Sequence, residues 1–124
     1  MILVDTSVWV DHLRNGEEGL IELLQEDAVL THPLVIAELA CGNLSHREEI
    51  IDLLRSLPAA PLAAHDEVLD FIAAERLHGT GLGAVDAHLL ASARLAHASV
   101  WSKDRALCRA ARRLKLLPER GELS

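Results

Sequence analysis

A three-layer α/β/α sandwich around a mostly parallel central sheet of four or five strands is the fold class that this sequence predicts. Three observations carry it. The runs MILVD, AVLTH and ASVWS are apolar and too short for helices, which is the pattern of buried strands. Longer stretches with apolar residues at helical spacing lie between them. Their alternation implies βαβ units, and right-handed crossovers put helices on both faces of the sheet. With 124 residues and no linker, repeat or low-complexity tract, residues 1–124 read as one α/β domain.

Taken in order, MILVD is a strand that ends on Asp5. Thr6 or Ser7 can cap the helix that follows, where Trp9, Val10 and Leu13 have helical spacing. EEGLIELLQE is an amphipathic helix with Leu20, Ile21, Leu23 and Leu24 inward, and AVLTH is the second strand. Pro33 suits a first helical turn, where its missing N–H has no partner to lose. PLVIAELACG is therefore a helix, stopped at Gly42 as a left-handed terminator. SHREEIIDLLRSL is a further amphipathic helix with Ser45 as its cap, and PAAPL is a turn-bounded stretch able to form a short strand. HDEVLDFIAAERLHG is helical up to Gly79, and TGLG is a loop. AVDAHLLASARLAH is a helix, ASVWS a strand, KDRALCRAARRL a helix and KLLP a last short strand.

Composition narrows the function classes. Hydrophobic residues make up 50% of the chain, mostly Ala and Leu, with only Trp9, Phe71 and Trp101 aromatic. This suits Ala/Leu-rich helix packing or apolar surface kept for a partner. Cys41 and Cys108 are too few and too far apart for a disulfide framework, and read as core thiols of a reduced cytoplasmic protein. Asp5 interrupts the first apolar run before a signal-peptide core could form, and no stretch approaches the roughly 18 apolar residues of a membrane span. The net charge of −7 argues mildly against nucleic acid, but its distribution is uneven. Residues 1–93 hold 4 Lys and Arg against 16 Asp and Glu, or −12, while residues 94–124 hold 8 against 3, or +5. A basic end of that kind can face phosphates.

Four acids stand out by their settings. In a parallel sheet ligands bind beyond the carboxyl ends of the strands. Asp5 ends the first strand and Asp104 follows the strand around VWS, so the two meet at one sheet edge if those strands are parallel neighbours. Glu38 is the one charge in PLVIAELACG and shares a helical stripe with Leu34 and Cys41, which predicts an inward side chain. Asp86 is the one charge in GLGAVDAHLLASA, on a stripe with Leu82, Leu89 and Leu90, and in a first turn where the helix dipole favours an anion. Each acid taken singly has an ordinary structural explanation, as a cap or a satisfied core group. Together they do not, because an unpaired buried carboxylate costs several kcal/mol and the apolar stretches around Asp5, Glu38 and Asp86 contain no Lys or Arg. Carboxylates brought together must take up protons or bind a cation. An oxygen-only set suits Mg²⁺ or Mn²⁺ rather than zinc, and supports metal-assisted attack of water on a phosphodiester. The histidines read as incidental: His32 precedes Pro33, His12, His46, His65, His78 and His97 fall on polar faces or near helix ends, and His88 points away from Asp86.

These acids and their surroundings resemble the PIN-domain ribonucleases, and within them the VapC-type toxins of bacterial toxin–antitoxin pairs. LVDTSVWV is similar to the family's opening strand with its metal-binding Asp, and VIAELACG to the helix that carries its Glu. GLGAVDAHLLASA is similar to the segment of the third acid, and VWSKDRALCRAA to the fourth motif, a hydroxyl residue two positions before an Asp. Ser102 stands where Thr is commoner and Leu107 where Phe is frequent. The resemblance implies a PIN-like endoribonuclease in which Asp5, Glu38, Asp86 and Asp104 are catalytic and hold Mg²⁺ or Mn²⁺, directly or through water. It makes Thr6 and Ser102 the groups that orient carboxylates or water. It implies products with a 5′-phosphate and a 3′-hydroxyl, a substrate such as tRNA or another structured RNA, a cognate antitoxin that inserts an Arg or Lys among the acids, a homodimer, and no membrane association. Arg105, Arg109 and Arg112, aligned on the helix leaving Asp104, are candidates for RNA backbone contacts.

Other classes fit less well. A receiver-like phosphoacceptor needs paired acids on the first strand, where only Asp5 stands. An aspartyl-nucleophile phosphatase needs a second Asp where Ser7 lies. A catalytically silent PIN-like binding module would have dispensed with some of the four acids, and all are present.

Overall fold

The structure, a computed structural model, describes residues 1–119. Arg120, part of the basic end, lies outside them. The elements run β1 (Ile2–Val4), α1 (Thr6–Asn15), α2 (Glu18–Gln25), β2 (Val29–Leu30), α3 (Pro33–Cys41), α4 (Arg47–Ser56), α5 (His65–Ala74), α6 (Ala84–Leu95), β3 (Ser99–Trp101) and α7 (Arg105–Arg113).

The sheet is parallel, in the order β2-β1-β3. Ile2 and Leu3 pair with Val29 and Leu30 on one side, and Ile2, Leu3 and Val4 with Ser99, Val100 and Trp101 on the other. A central strand flanked on both edges and covered by helices needs no polar alternation, which is why ILV is apolar throughout. Leu3 and Val4 are fully buried. The Asp5 N–H donates to the Trp101 carbonyl at 2.9 Å, so the ladder runs one residue past β1 and delivers Asp5 to the sheet's carboxyl edge.

Three strands form among the described residues, fewer than the four or five expected. PAAPL contributes one parallel bridge, Ala59 opposite Thr31, with bonds from Thr31 N–H to Pro58 O and from Ala60 N–H to Thr31 O, both 2.8 Å. Pro58 and Pro61 have no N–H to extend the ladder. KLLP gives a single bond to β3, from Val100 N–H to Leu116 O at 2.7 Å.

The helices pack the core that Leu20, Leu23, Val35, Leu39, Leu89 and Leu107 dominate. α3 packs against α1 and α4, while α6 packs against β1, β3 and α5. Several local expectations are corrected. Ile21 is 41% exposed, because α2 turns Leu20, Leu23 and, in part, Leu24 to the core instead. Cys41 is exposed and Cys108 half-buried, so neither is a core thiol. His46, in the left-handed region, precedes α4 in place of Ser45. Asp5 occupies the cap position of α1, and the Thr6 and Ser7 hydroxyls are used elsewhere.

Four of the seven helix ends among the described residues, those of α2, α5, α6 and α7, follow one pattern. Gly42 has φ −86° and is not a left-handed terminator. Asp27, Arg76, His97 and Lys115 are left-handed, and after each the next N–H reaches back to close the helix, as from Leu77 to Ile72 O at 3.0 Å and from Ala98 to Ala93 O at 2.9 Å. The residues just beyond Arg76 and His97, Leu77 and Ala98, are buried, so apolar burial holds the strained residue in place without glycine. No helix among the described residues is long and apolar enough to cross a membrane.

Candidate active site

Because β1 and β3 are parallel neighbours, Asp5 and the 102–104 segment emerge side by side. Asp5 is only 5% exposed, and its Oδ2 accepts from Ser7 Oγ and from Ser102 Oγ, both at 2.7 Å. Each hydroxyl has one proton and each gives it to Asp5. The 3.3 Å approach of the two oxygens is therefore a contact forced by sharing one acceptor. Both serines are held in turn by the backbone: Asp104 N–H donates to Ser102 Oγ and Lys103 N–H to Ser7 Oγ, each at 2.9 Å. These bonds end on one carboxylate oxygen and leave Oδ1 outside the pair. Ser102 thus contacts the Asp5 carboxylate directly. Ser7 shares that contact, and its signal was a hydroxyl two residues after the acid, which reads equally well as a helix cap.

The nearest cation in sequence is turned away. The Lys103 ammonium pairs with Asp11 and with Glu17, the latter at 2.7 Å, on the partly exposed side of α1 and α2.

Glu38 does not face inward as its stripe predicted. It is exposed, and the buried stripe of α3 is Val35 and Leu39. Its Oε1 accepts from Thr6 Oγ1 at 2.6 Å, so Thr6 ties α3 to the start of α1. Glu38 sits at the rim of a cavity of about 350 Å³ walled by Val10, Leu13, Leu39, Leu44 and Ile50. Asp104 is exposed and caps α7, its Oδ2 accepting from Leu107 N–H at 2.9 Å. The structural explanation for Asp104 therefore holds, with one oxygen committed to the helix.

Asp86 shows how these acids are related. It lies half-buried in the first turn of α6, with Gly83 N–H 3.4 Å from Oδ2. Burial pushes its carboxyl above the usual range, and the Asp5 charge adds to this. The Gly83 N–H opposes the shift, and Asp104 and Glu38 reinforce it. Asp86 thus feels all three other acids. Among the described residues no three of the acidic, His or Cys side chains stand in ready metal-ligating geometry. The four acids are linked electrostatically at Asp86, with carboxylate and hydroxyl oxygens as the donors, rather than gathered in a closed cage. That donor set fits a hydrated hard dication, which takes one or two carboxylates and keeps several waters.

Arg105, Arg109 and Arg112 are exposed on α7. Arg109 also walls a cavity of about 250 Å³ with Leu77, Thr80 and Ala106. Arg113 turns aside and donates to the Glu75 and Arg76 carbonyls at the end of α5.

His32, taken from the sequence as incidental, is 1% exposed and caps α3. Its Nδ1 accepts from Leu34 N–H at 3.0 Å, so the ring is neutral with its proton on Nε2, which faces Ser92 Oγ at 3.1 Å. Burial, and then the neighbouring His88, lower its pKa. The unfolded chain therefore binds a proton at His32 more readily than the native chain. The stability this residue contributes is complete above about pH 6.5, its unfolded value, and is lost as pH falls toward the native value. The melting temperature should fall on acidification below about pH 6.5, and less steeply in His32→Asn than in the wild type. An equally steep fall in the variant would contradict the assignment.

The profile of the PIN domain matches residues 2–113. Ribonuclease VapC32 of Mycobacterium tuberculosis, from strain CDC 1551 / Oshkosh and from strain H37Rv, is 51% identical over 108 residues, spanning 86% of this chain and 87% of that protein.

Proposed function

The chain belongs to the PIN-domain family, and from that premise we propose that it is an endoribonuclease toxin of the VapC type, paired with a cognate antitoxin and acting in the cytoplasm. The observation that carries the reading is the crowding at Asp86, a half-buried carboxyl that burial raises first and the charges of Asp5, Asp104 and Glu38 raise further.

Asp5, Asp86, Asp104 and Glu38 are the groups that would hold Mg²⁺ or Mn²⁺, some through water. Such an ion supplies charge to the scissile phosphate and lowers the pKa of the attacking water. The chain's own contribution is to set the carboxylates in place. Ser7 and Ser102 fix the Asp5 carboxylate, and Thr6 fixes Glu38. Leu107 N–H fixes Asp104. Arg105, Arg109 and Arg112 would neutralise RNA phosphates and offset the acidic body of the protein locally. The RNA would be read in a loop or single strand, because a duplex hides its base edges. tRNA or another structured RNA offers such loops.

A cognate antitoxin can silence the same cleft without reaching its floor. An apolar segment seated between Val10, Leu13, Leu44 and Ile50 would place a following Arg or Lys at Glu38. As in the family, the working form is a homodimer.

The test is cleavage of RNA by the purified protein. It should proceed with Mg²⁺ or Mn²⁺, stop on addition of EDTA and leave 5′-phosphate ends. Cleavage undiminished by EDTA would contradict the reading.

A further inference from the structure

His32 and Ser92 form a buried polar pair that the carboxylate chemistry does not use. Ser92 is 0% exposed and His32 1%. The two imidazole nitrogens do different jobs. Nδ1 accepts from Leu34 N–H and starts α3, while Nε2 donates to Ser92 Oγ on α6. α3 packs mainly against α1 and α4, whereas α6 packs mainly against β1, β3 and α5, so the two helices share one core but have different principal neighbours. The Nε2–Oγ bond joins them. Glu38 stands six residues into the chain beyond His32, and Asp86 six residues before Ser92, each about 9 Å away along its helix. A shift of either helix at this bond is carried to its acid, because helices move as rigid bodies.

We propose that His32 is a positioning residue for the acid cleft: through Ser92 it sets the spacing between α3, which carries Glu38, and α6, which carries Asp86. The inference rests on the endoribonuclease reading of that cleft. A neutral ring is required, because a proton on Nδ1 would face the Leu34 N–H.

Single substitutions separate the two jobs. His32→Asn places an amide oxygen near the position of Nδ1 and retains an N-cap acceptor, but is too short for Ser92. His32→Gln reaches Ser92 and gives up the cap. Ser92→Ala removes the tie from the other side and leaves the cap intact. The measurements are kcat and KM for RNA cleavage below the melting temperature of every variant, the affinity of the RNA-free protein for Mn²⁺ by calorimetry, and Tm.

His32→Asn and Ser92→Ala should each lower kcat about tenfold and weaken Mn²⁺ binding about tenfold, with KM within about twofold. Their effects should not add in the double variant, because one bond is lost in all three. His32→Gln should recover most of kcat although its Tm falls. A kcat that simply follows Tm through the series would overturn the proposal, as would a Ser92→Ala protein with wild-type kcat and Mn²⁺ affinity. A wild type that binds Mn²⁺ but cleaves no RNA would instead refute the ribonuclease reading, and the Mn²⁺ series would still decide the role of His32.

Discussion

Asp5→Asn gives a folded protein whose RNA cleavage is slower by at least about a thousandfold, because a divalent ion stabilises transition-state charge by several kcal/mol and each 1.36 kcal/mol is tenfold in rate. The fold should survive for reasons visible around the residue. Asn keeps the shape of Asp, and the Ser7 and Ser102 hydroxyls that meet Oδ2 can donate to the amide oxygen instead. What is lost is the charge at the end of β1 and an oxygen able to ligate. The comparison variant is Asp11→Asn, which removes a carboxylate of the same type from α1, where it pairs with Lys103. Single-turnover cleavage in saturating Mg²⁺ should be near the wild-type rate for Asp11→Asn and nearly absent for Asp5→Asn. Equal rates for the two would mean that Asp5 is a structural acid.

Asp86→Asn should move activity and stability in opposite directions. Cleavage should fall about a hundredfold or more, since another acid of the cleft is removed. Metal-free stability should rise. The carboxyl of Asp86 is raised in the folded protein by burial and by the Asp5 charge, so the native state holds this proton more tightly than the unfolded chain. Stability then falls as pH rises from the unfolded value of 3.8 through the raised native value. Above that point the ionised group carries the full penalty, and the amide carries none. In metal-free buffer at neutral pH the variant should melt above the wild type. Saturating Mg²⁺ should raise the wild-type Tm and raise that of the variant by less, because ligand stabilisation follows differential affinity for the native state. A variant that melts below the wild type without metal would remove electrostatic crowding as the defining property of the cleft.

The parts of this site that were legible in sequence are those that depend on strand ends. Ile2, Leu3 and Val4 read as a buried parallel strand, and the segment before Asp104 as another. Two parallel strands side by side put their following acids at one edge, as β1 and β3 do. Helix faces were harder. α3 is apolar almost all round, so the stripe through Leu34, Glu38 and Cys41 was no worse a candidate than the true one through Val35 and Leu39. Its periodicity could not decide which face was buried, and Glu38 lies at the rim. Two glycine stops mislead: Gly42 is not left-handed, and α5 ends at Ala74 and closes through the left-handed Arg76, short of Gly79. His32 was missed because its partner, Ser92, is 60 residues away. No local pattern reports a bond of that kind. The only cue was a residue with an acceptor nitrogen just before Pro33, at the cap position of a helix.

Soaking Mn²⁺ into crystals of the protein and recording its anomalous scattering would test the central claim most directly. A manganese peak bounded by Asp5, Glu38, Asp86 and Asp104, within direct or water-bridged reach of them, is the expected result. A cleft empty of manganese at saturating concentration, with any bound ion held elsewhere, would contradict it.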